Sequence, residues 1–310
     1  MTAWRLVADV GGTNVRFARA DARGTLDAVR TMPTSAAASF LEALHDYLRA
    51  TGGNAHCASC AIGAAGPVDG DTVTLTNLDW TITRAGVSAA LGGAPVTLVN
   101  DLEAVAAALP HLAADDLAPI GGPAVAPPED LRSRLAINVG TGFGAALALR
   151  RGARWWTLPS EAGHMRLDIC SAVERDALGP CRTVEDLLSG HGLAELHDRL
   201  SGGGSPRHDP SAVLAPSGED RHARRAVEIV TDVLGRVAGD LTLATAAWGG
   251  VMLTGSVAEG WSKVADPARF RRAFEGEGPM RARLARTPTA LIERPHVALL
   301  GLAMLPAGED

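Results

Sequence analysis

The chain has 310 residues, 46% of them hydrophobic, and a formal net charge of −6. That length supports one large or two ordinary domains with real cores; the mild acidity and an aromatic content of only 4% exclude the basic, stacking-rich footprint of a nucleic-acid binder. No apolar run reaches the ~18–20 residues of a membrane span, and a chain that goes straight into a strand pattern, with no signal-peptide features, predicts a cytoplasmic protein.

In chain order, residues 6–10, 15–19 and 26–31 predict a three-strand meander, with Asp9-Val10-Gly11-Gly12-Thr13-Asn14 between the first two strands. Over 39–49, Phe40, Leu41, Leu44 and Leu48 share one helical face, and Ser39 suits the N-cap. Residues 57–63 read as a strand. Cys57-Ala-Ser-Cys60 in it has the spacing of a redox or zinc half-site, but no second Cys or His pair completes a site, so packing is the reading. Residues 67–71 carry turn chemistry, 72–75 and 96–99 read as strands, and Trp80 reads as core. A helix over 102–109 ends at Pro110.

A second part begins near Ile120 and again opens with strands, at 135–139 and 144–149, joined by Asn138-Val139-Gly140-Thr141-Gly142-Phe143-Gly144. Thr183 opens a helix with capping-box chemistry. Residues 201–218, rich in Gly, Ser and Pro, read as a surface loop; 219–247 carry a long 3.6-period pattern in which Gly235 and Gly239 allow close helix packing. A strand at 251–254 and a last helix at 297–305 follow. Two halves with this order imply two α/β domains with a cleft between them.

The two Gly-Thr turns carry most of the chemistry. Glycines let the main chain come close to an anion, and threonine adds a hydroxyl donor. Gly11, Gly12, Thr13 and Asn14 in one turn, and Gly140, Thr141 and Gly142 in the other, are expected to grip a polyphosphate. Lysine occurs once, at Lys263 after Trp261-Ser262, so there is no P-loop and no protein-kinase lysine. Phosphate must be held by backbone, hydroxyls and metal.

Asp9, at the end of the first strand, is placed to hold Mg²⁺ directly or through water; alternatively it caps its own turn. Asn100-Asp101 ends a strand and starts a helix, so it reads either as an N-cap or as a site group at the carboxyl end of a parallel strand. Alongside the phosphate turns, Asp101 is assigned as general base toward a sugar hydroxyl. Asn77 offers donor and acceptor to such a hydroxyl. Glu161 and His164 share a tight turn and suit neighbouring ring hydroxyls. Glu185 by itself reads as a carboxylate complementing a helix dipole. Gly249-Gly250 and Thr254-Gly255-Ser256 either present bare backbone to a nucleotide base or simply bound a strand.

Taken in order, Asp9 to Asn14, Thr76-Asn77 with Trp80, Asn100-Asp101, Gly140-Thr141-Gly142, Glu161 to His164 and Thr183 to Leu193 resemble the bacterial ATP-dependent glucokinases of the hexokinase/actin/heat-shock-ATPase superfamily. The resemblance covers nearly the whole chain. The repressor/kinase branch of sugar kinases is less similar, because its Cys-rich zinc segment is missing. The resemblance implies two actin-like (ribonuclease H-like) α/β domains, 1–110 with 297–310 and 111–296, a last helix that returns to the first domain, and a homodimer. It implies ATP with Mg²⁺ as phosphoryl donor, Asp101 as base, and Asn77, Asn100, Asp101, Glu161, His164 and Glu185 around glucose, with Gly255 in the adenosine turn. Domain closure would then exclude water. Another hexose or an amino sugar as acceptor, and a sugar-sensing regulator without turnover, are the alternatives. Three departures stand out: Ala162 and Ser256 where glycine is usual, and Leu102-Glu103 where Phe-Thr is usual.

Overall fold

The computed structural model describes residues 3–75, 78–125, 132–152, 154–168, 176–179, 181–203, 209–215 and 220–306. The chain divides into two compact units, Met1–Pro110 with Pro295–Asp310, and His111–Arg294.

In the first unit, β1 (Trp4–Val10), β2 (Asn14–Ala20) and β3 (Leu26–Pro33) form the expected antiparallel meander. Strand β4 (Cys57–Ala64) pairs in parallel with β1. The short strands β5 (Val68–Asp69), β6 (Thr72–Thr74) and β7 (Thr81–Thr83) make a separate small sheet, and β8 (Val96–Asn100) returns to pair in parallel with β4. The main order is β3-β2-β1-β4-β8. Strands β1 and β4 are flanked on both sides and nearly every side chain on them is buried, which is why they read as continuous apolar runs rather than alternating ones. Register sets Asp9 level with Gly63, and Ala64 level with Asn100, so the carboxyl ends of the three parallel strands finish in step.

Helix α1 (Phe40–Thr51) starts at Ser39, whose hydroxyl accepts the Glu42 N–H, and stops at Gly52 with φ 92°. Leu41 is only half-buried; Ala43 and Tyr47 complete the buried face, and Tyr47 stacks on Phe17 at 5.0 Å. Helix α2 (Arg84–Ala90), capped by Thr83, was not legible in the sequence. Helix α3 (Asp101–Ala108) begins one residue earlier than expected because Asn100 caps it. Its continuation, Leu109–His111, is a 3₁₀ turn carrying Pro110. The last helix, Val297–Met304, packs on α3 so closely that a Cβ on Gly301 would collide with the Ala104 carbonyl oxygen. The Arg5 guanidinium donates to the Leu305 and Pro306 carbonyls just beyond it. Arg5 is the second residue of β1, so the chain just beyond this helix is tied to the start of β1.

The second unit repeats the plan. Strands β9 (Leu117–Pro119), β10 (Arg134–Val139), β11 (Phe143–Arg151), β12 (Arg154–Ser160), β13 (Gly250–Thr254) and β14 (Thr289–Ile292) are ordered β12-β11-β10-β13-β14-β9. A meander of three strands is again followed by parallel neighbours. The long helix Arg221–Thr245 is capped by Asp220. Gly235 and Gly239 let it touch the backbone of helix Pro267–Glu275: a Cβ on Gly235 would lie 2.7 Å from the Phe270 carbonyl oxygen. The segment expected to be loop over 201–218 contains a helical turn, Pro210–Val213, because Asp209 caps it and Pro210 fits its first position. Among the described residues no helix is long and apolar enough to cross a membrane.

Candidate active site

In the first unit, the turn between β1 and β2 is closed by the Gly11 N–H donating to the Asn14 carbonyl at 2.9 Å. Gly12 and Thr13 at its tip are exposed. Thr34, just after β3, holds the turn from one side. Its hydroxyl donates to the Gly12 carbonyl and its N–H to the Thr13 carbonyl, both at 2.9 Å. In a planar trans peptide the N–H points opposite the carbonyl, so the N–H groups of Thr13 and Asn14 leave the turn on the side away from Thr34. Consecutive N–H groups aimed one way suit an anion.

Asp9 is 17% exposed at its side chain, and its Oδ2 accepts from Arg16 Nη1 at 3.0 Å. Burial pushes the Asp9 carboxyl above the usual carboxylate range; the charge and hydrogen bond of Arg16, and then the charge of His296, pull it back. Among the described residues no three His, Cys, Asp or Glu side chains converge as a metal cage. Mg²⁺, however, usually takes only one or two carboxylates from a protein, its other ligands being phosphate oxygens and water. Asp9 fits that share.

Asn100 and Asp101 stand at the junction of β8 and α3. Both send Oδ1 to the Leu102 N–H, at 3.0 and 2.8 Å respectively. Asn100 Nδ2 reaches the Gly66 carbonyl at 3.5 Å. The capping role and the position at the strand's carboxyl end therefore coexist. Burial, then the charge of Asp9, raises the proton affinity of Asp101; the Leu102 N–H is the largest opposing contribution. Gly63 keeps this corner tight, since a Cβ there would lie 3.1 Å from Ala104 Cβ and 3.6 Å from Asp101 Cα. Leu102 is buried and Glu103 half-buried on α3. Trp80 is core, as expected. Asn77 lies outside the described residues.

In the second unit, the turn between β10 and β11 is closed by the Gly140 N–H donating to the Gly142 carbonyl at 3.0 Å. The Gly140 carbonyl is taken by the Gly190 N–H at 2.8 Å, so the Thr141 N–H points away from Gly190. Gly255, with φ 101°, lies against the same turn: a Cβ there would be 2.5 Å from Asn138 Oδ1 and from the Val139 carbonyl. The constrained residue is Gly255, and Ser256 simply starts helix Ser256–Trp261.

Glu161 precedes and His164 ends the 3₁₀ turn Ala162–His164, with side chains 85% and 70% exposed and 4.0 Å apart. The turn is docked at Gly163, where a Cβ would be 2.5 Å from the Phe143 carbonyl oxygen and 3.6 Å from Glu185 Cβ. Glu185, in helix Val184–Leu187, accepts the Phe143 N–H at 2.8 Å, and its carboxylate touches Gly142. Thus Glu161, His164 and Glu185 gather beside the second Gly-Thr turn. The Ala162 methyl is buried in this unit's core, so the departure from glycine is absorbed there. Thr34, Arg16 and Gly190 were not identified from sequence. Their contacts link segments whose pairing only the sheet register reveals.

A family model described as Glucokinase matches residues 6–308. The chain is 36% identical over 319 residues to a glucokinase from Nitrobacter hamburgensis, covering 99% of this chain and 98% of that one. Its fold is similar to that of a glucokinase from an Antarctic psychrotroph, with a TM-score of 0.85, 27% identity and 98% of each chain covered. A ROK family glucokinase from Streptomyces griseus, solved in complex with glucose and AMPPNP, shares the fold at a TM-score of 0.66 and 21% identity, covering 97% of this chain and 98% of that one.

Proposed function

This chain belongs to the glucokinase family, and from that premise we propose that it transfers the γ-phosphoryl group of ATP to the 6-hydroxyl of glucose. The observation that carries the chemistry is Asp101, a half-buried carboxylate with raised proton affinity at the carboxyl end of β8, in the same unit as a turn whose Gly12 and Thr13 carbonyls are both taken by Thr34. A sugar hydroxyl is a poor nucleophile until its proton has an acceptor. Asp101 takes that proton as the P–O bond to the ADP leaving group breaks and the bond to the sugar oxygen forms.

The turns at 11–14 and 140–142 each bind nucleotide phosphate through backbone N–H groups and a threonine hydroxyl, and Gly255, seated directly against Asn138 and Val139, sets the backbone of the adenosine turn. Asp9 is the residue that would hold Mg²⁺, which supplies charge neutralisation on the phosphates. Asn77, Asn100, Glu161, His164 and Glu185 orient the sugar. Positioning and charge stabilisation, rather than covalent steps, then account for the rate. The enzyme works in the cytoplasm at the entry to glycolysis, as a homodimer.

The test is ADP release by the purified chain with MgATP and a panel of glucose, mannose, fructose and glucosamine. The proposal expects the highest kcat/KM with glucose. A higher value for another sugar reassigns the substrate, and no release with any sugar points to a regulator without turnover.

A further inference from the structure

We propose that Thr34 is a positioning residue for nucleotide phosphate: it fixes the Gly12–Thr13 peptide so that the turn presents its N–H groups outward. The inference rests on reading the 11–14 turn as a phosphate site. Pro33, with φ −61° and ψ 137°, ends β3 opposite Asn14 and delivers Thr34 to the base of that turn. There the threonine takes two successive carbonyls at once, Gly12 with its hydroxyl and Thr13 with its N–H.

The asymmetry of burial separates a positioning role from simple packing. Thr34 is 4% exposed, whereas Gly12 and Thr13 are exposed. Carbonyls at an exposed tip would be satisfied by water without any help from the fold. Left to water, a glycine-containing turn would sample both orientations of the peptide between Gly12 and Thr13. With Thr34 in place, only one remains, and it is the one that offers donors to an anion. The second Gly-Thr turn has the same device in another form, the Gly190 N–H on the Gly140 carbonyl. Because the threonine never touches phosphate in this scheme, it acts on nucleotide affinity and leaves the sugar ligands alone.

The test compares Thr34→Val, which is isosteric without the hydroxyl, with Thr34→Ser, and adds Thr34→Ala so that Ser and Ala form a second hydroxyl pair if Val disturbs folding. KM for MgATP, KM for glucose and the melting temperature are measured for each in the full chain. Val and Ala are expected to raise KM for MgATP by about five- to ten-fold, the scale of one neutral hydrogen bond. Ser should stay within about two-fold of the parent, with KM for glucose unmoved throughout. Gly12→Val, which puts a branched side chain on the turn itself, tests the underlying reading. If Gly12→Val raises KM for MgATP while Val and Ala at 34 do not, Thr34 has no positioning role. If none of them moves it, the turn is not a phosphate site and the reading itself fails. Equal losses in Ser and Ala would also overturn the role of the hydroxyl.

Discussion

The Glu185 carboxylate accepts the backbone N–H of Phe143 at 2.8 Å, which fastens a four-residue helix to the start of β11. One side chain thereby serves two purposes: it satisfies a main-chain donor next to the second Gly-Thr turn, and it stands among the groups assigned to sugar. The two can be separated. Glu185→Ala leaves the Phe143 donor without its partner and should cost about 1–3 kcal/mol of stability, read as a lower melting temperature. Glu185→Gln keeps an acceptor oxygen and should melt close to the parent, yet raise KM for glucose by roughly ten-fold through the lost charge-assisted bond. An unchanged glucose KM in Glu185→Gln would reduce the residue to a structural one.

Asp101 illustrates how a site group lowers stability. Its proton affinity is raised by burial and by Asp9. A carboxyl with a raised folded-state pKa contributes stability that is fully present below its unfolded pKa and is lost as pH rises through the folded value. At neutral pH the ionised form therefore destabilises the protein. Asp101→Asn should melt higher than the parent at pH 7.5, and the gain should shrink as pH falls toward about 4. For the parent enzyme, kcat/KM should fall on acidification with a midpoint above the usual carboxylate range. A variant no more stable at pH 7.5 than at pH 4, relative to the parent, would contradict this description.

Adjacent positions in the Glu161 turn should respond oppositely. The Ala162 methyl is buried, while Gly163 has no room for one. Ala162→Gly should lower stability by about 1 kcal/mol, from lost apolar burial and added backbone freedom, with glucose kinetics intact. Gly163→Ala must push the turn off the Phe143 carbonyl and should raise KM for glucose several-fold. Parallel kinetics of the two variants would show that the turn does not position the sugar ligands.

Gly255 combines φ 101° with a space that admits no Cβ. Gly255→Ala should therefore cost about 1–3 kcal/mol and weaken MgATP more than glucose. Equal effects on both substrates would argue for a purely architectural glycine.

Much of the fold was legible because local chemistry and tertiary structure agree. Ser39 caps α1, Thr183 and Asp186 form a capping box, and Gly235 and Gly239 mark a close helix contact, as their residue types suggest. The misses have physical causes. The short strands β5 and β7, of two and three residues, are too brief for periodicity to register, whereas β6 falls inside the strand read at 72–75. The helix Pro267–Glu275 carried its signal, Asp266 before Pro267, within a strongly charged stretch that reads as surface. At the site, residue types at strand ends pointed to Asp9, Asp101 and the two Gly-Thr turns. The side chains that act on them, Arg16 and Thr34, depend on cross-strand register, which no local pattern encodes. Glu185, locally a helix-dipole carboxylate, shows its second role only once β11 is in place.

Formation of glucose 6-phosphate by this chain, with Asp101 as the proton acceptor, is checked by following phosphoryl transfer from MgATP to glucose by ³¹P NMR with the parent chain and Asp101→Ala, alongside calorimetric binding of glucose to each. The parent should accumulate glucose 6-phosphate, and the variant should still bind glucose but turn over at least ~10²-fold more slowly. Near-native turnover in Asp101→Ala, or a different phosphorylated product from the parent, would contradict it.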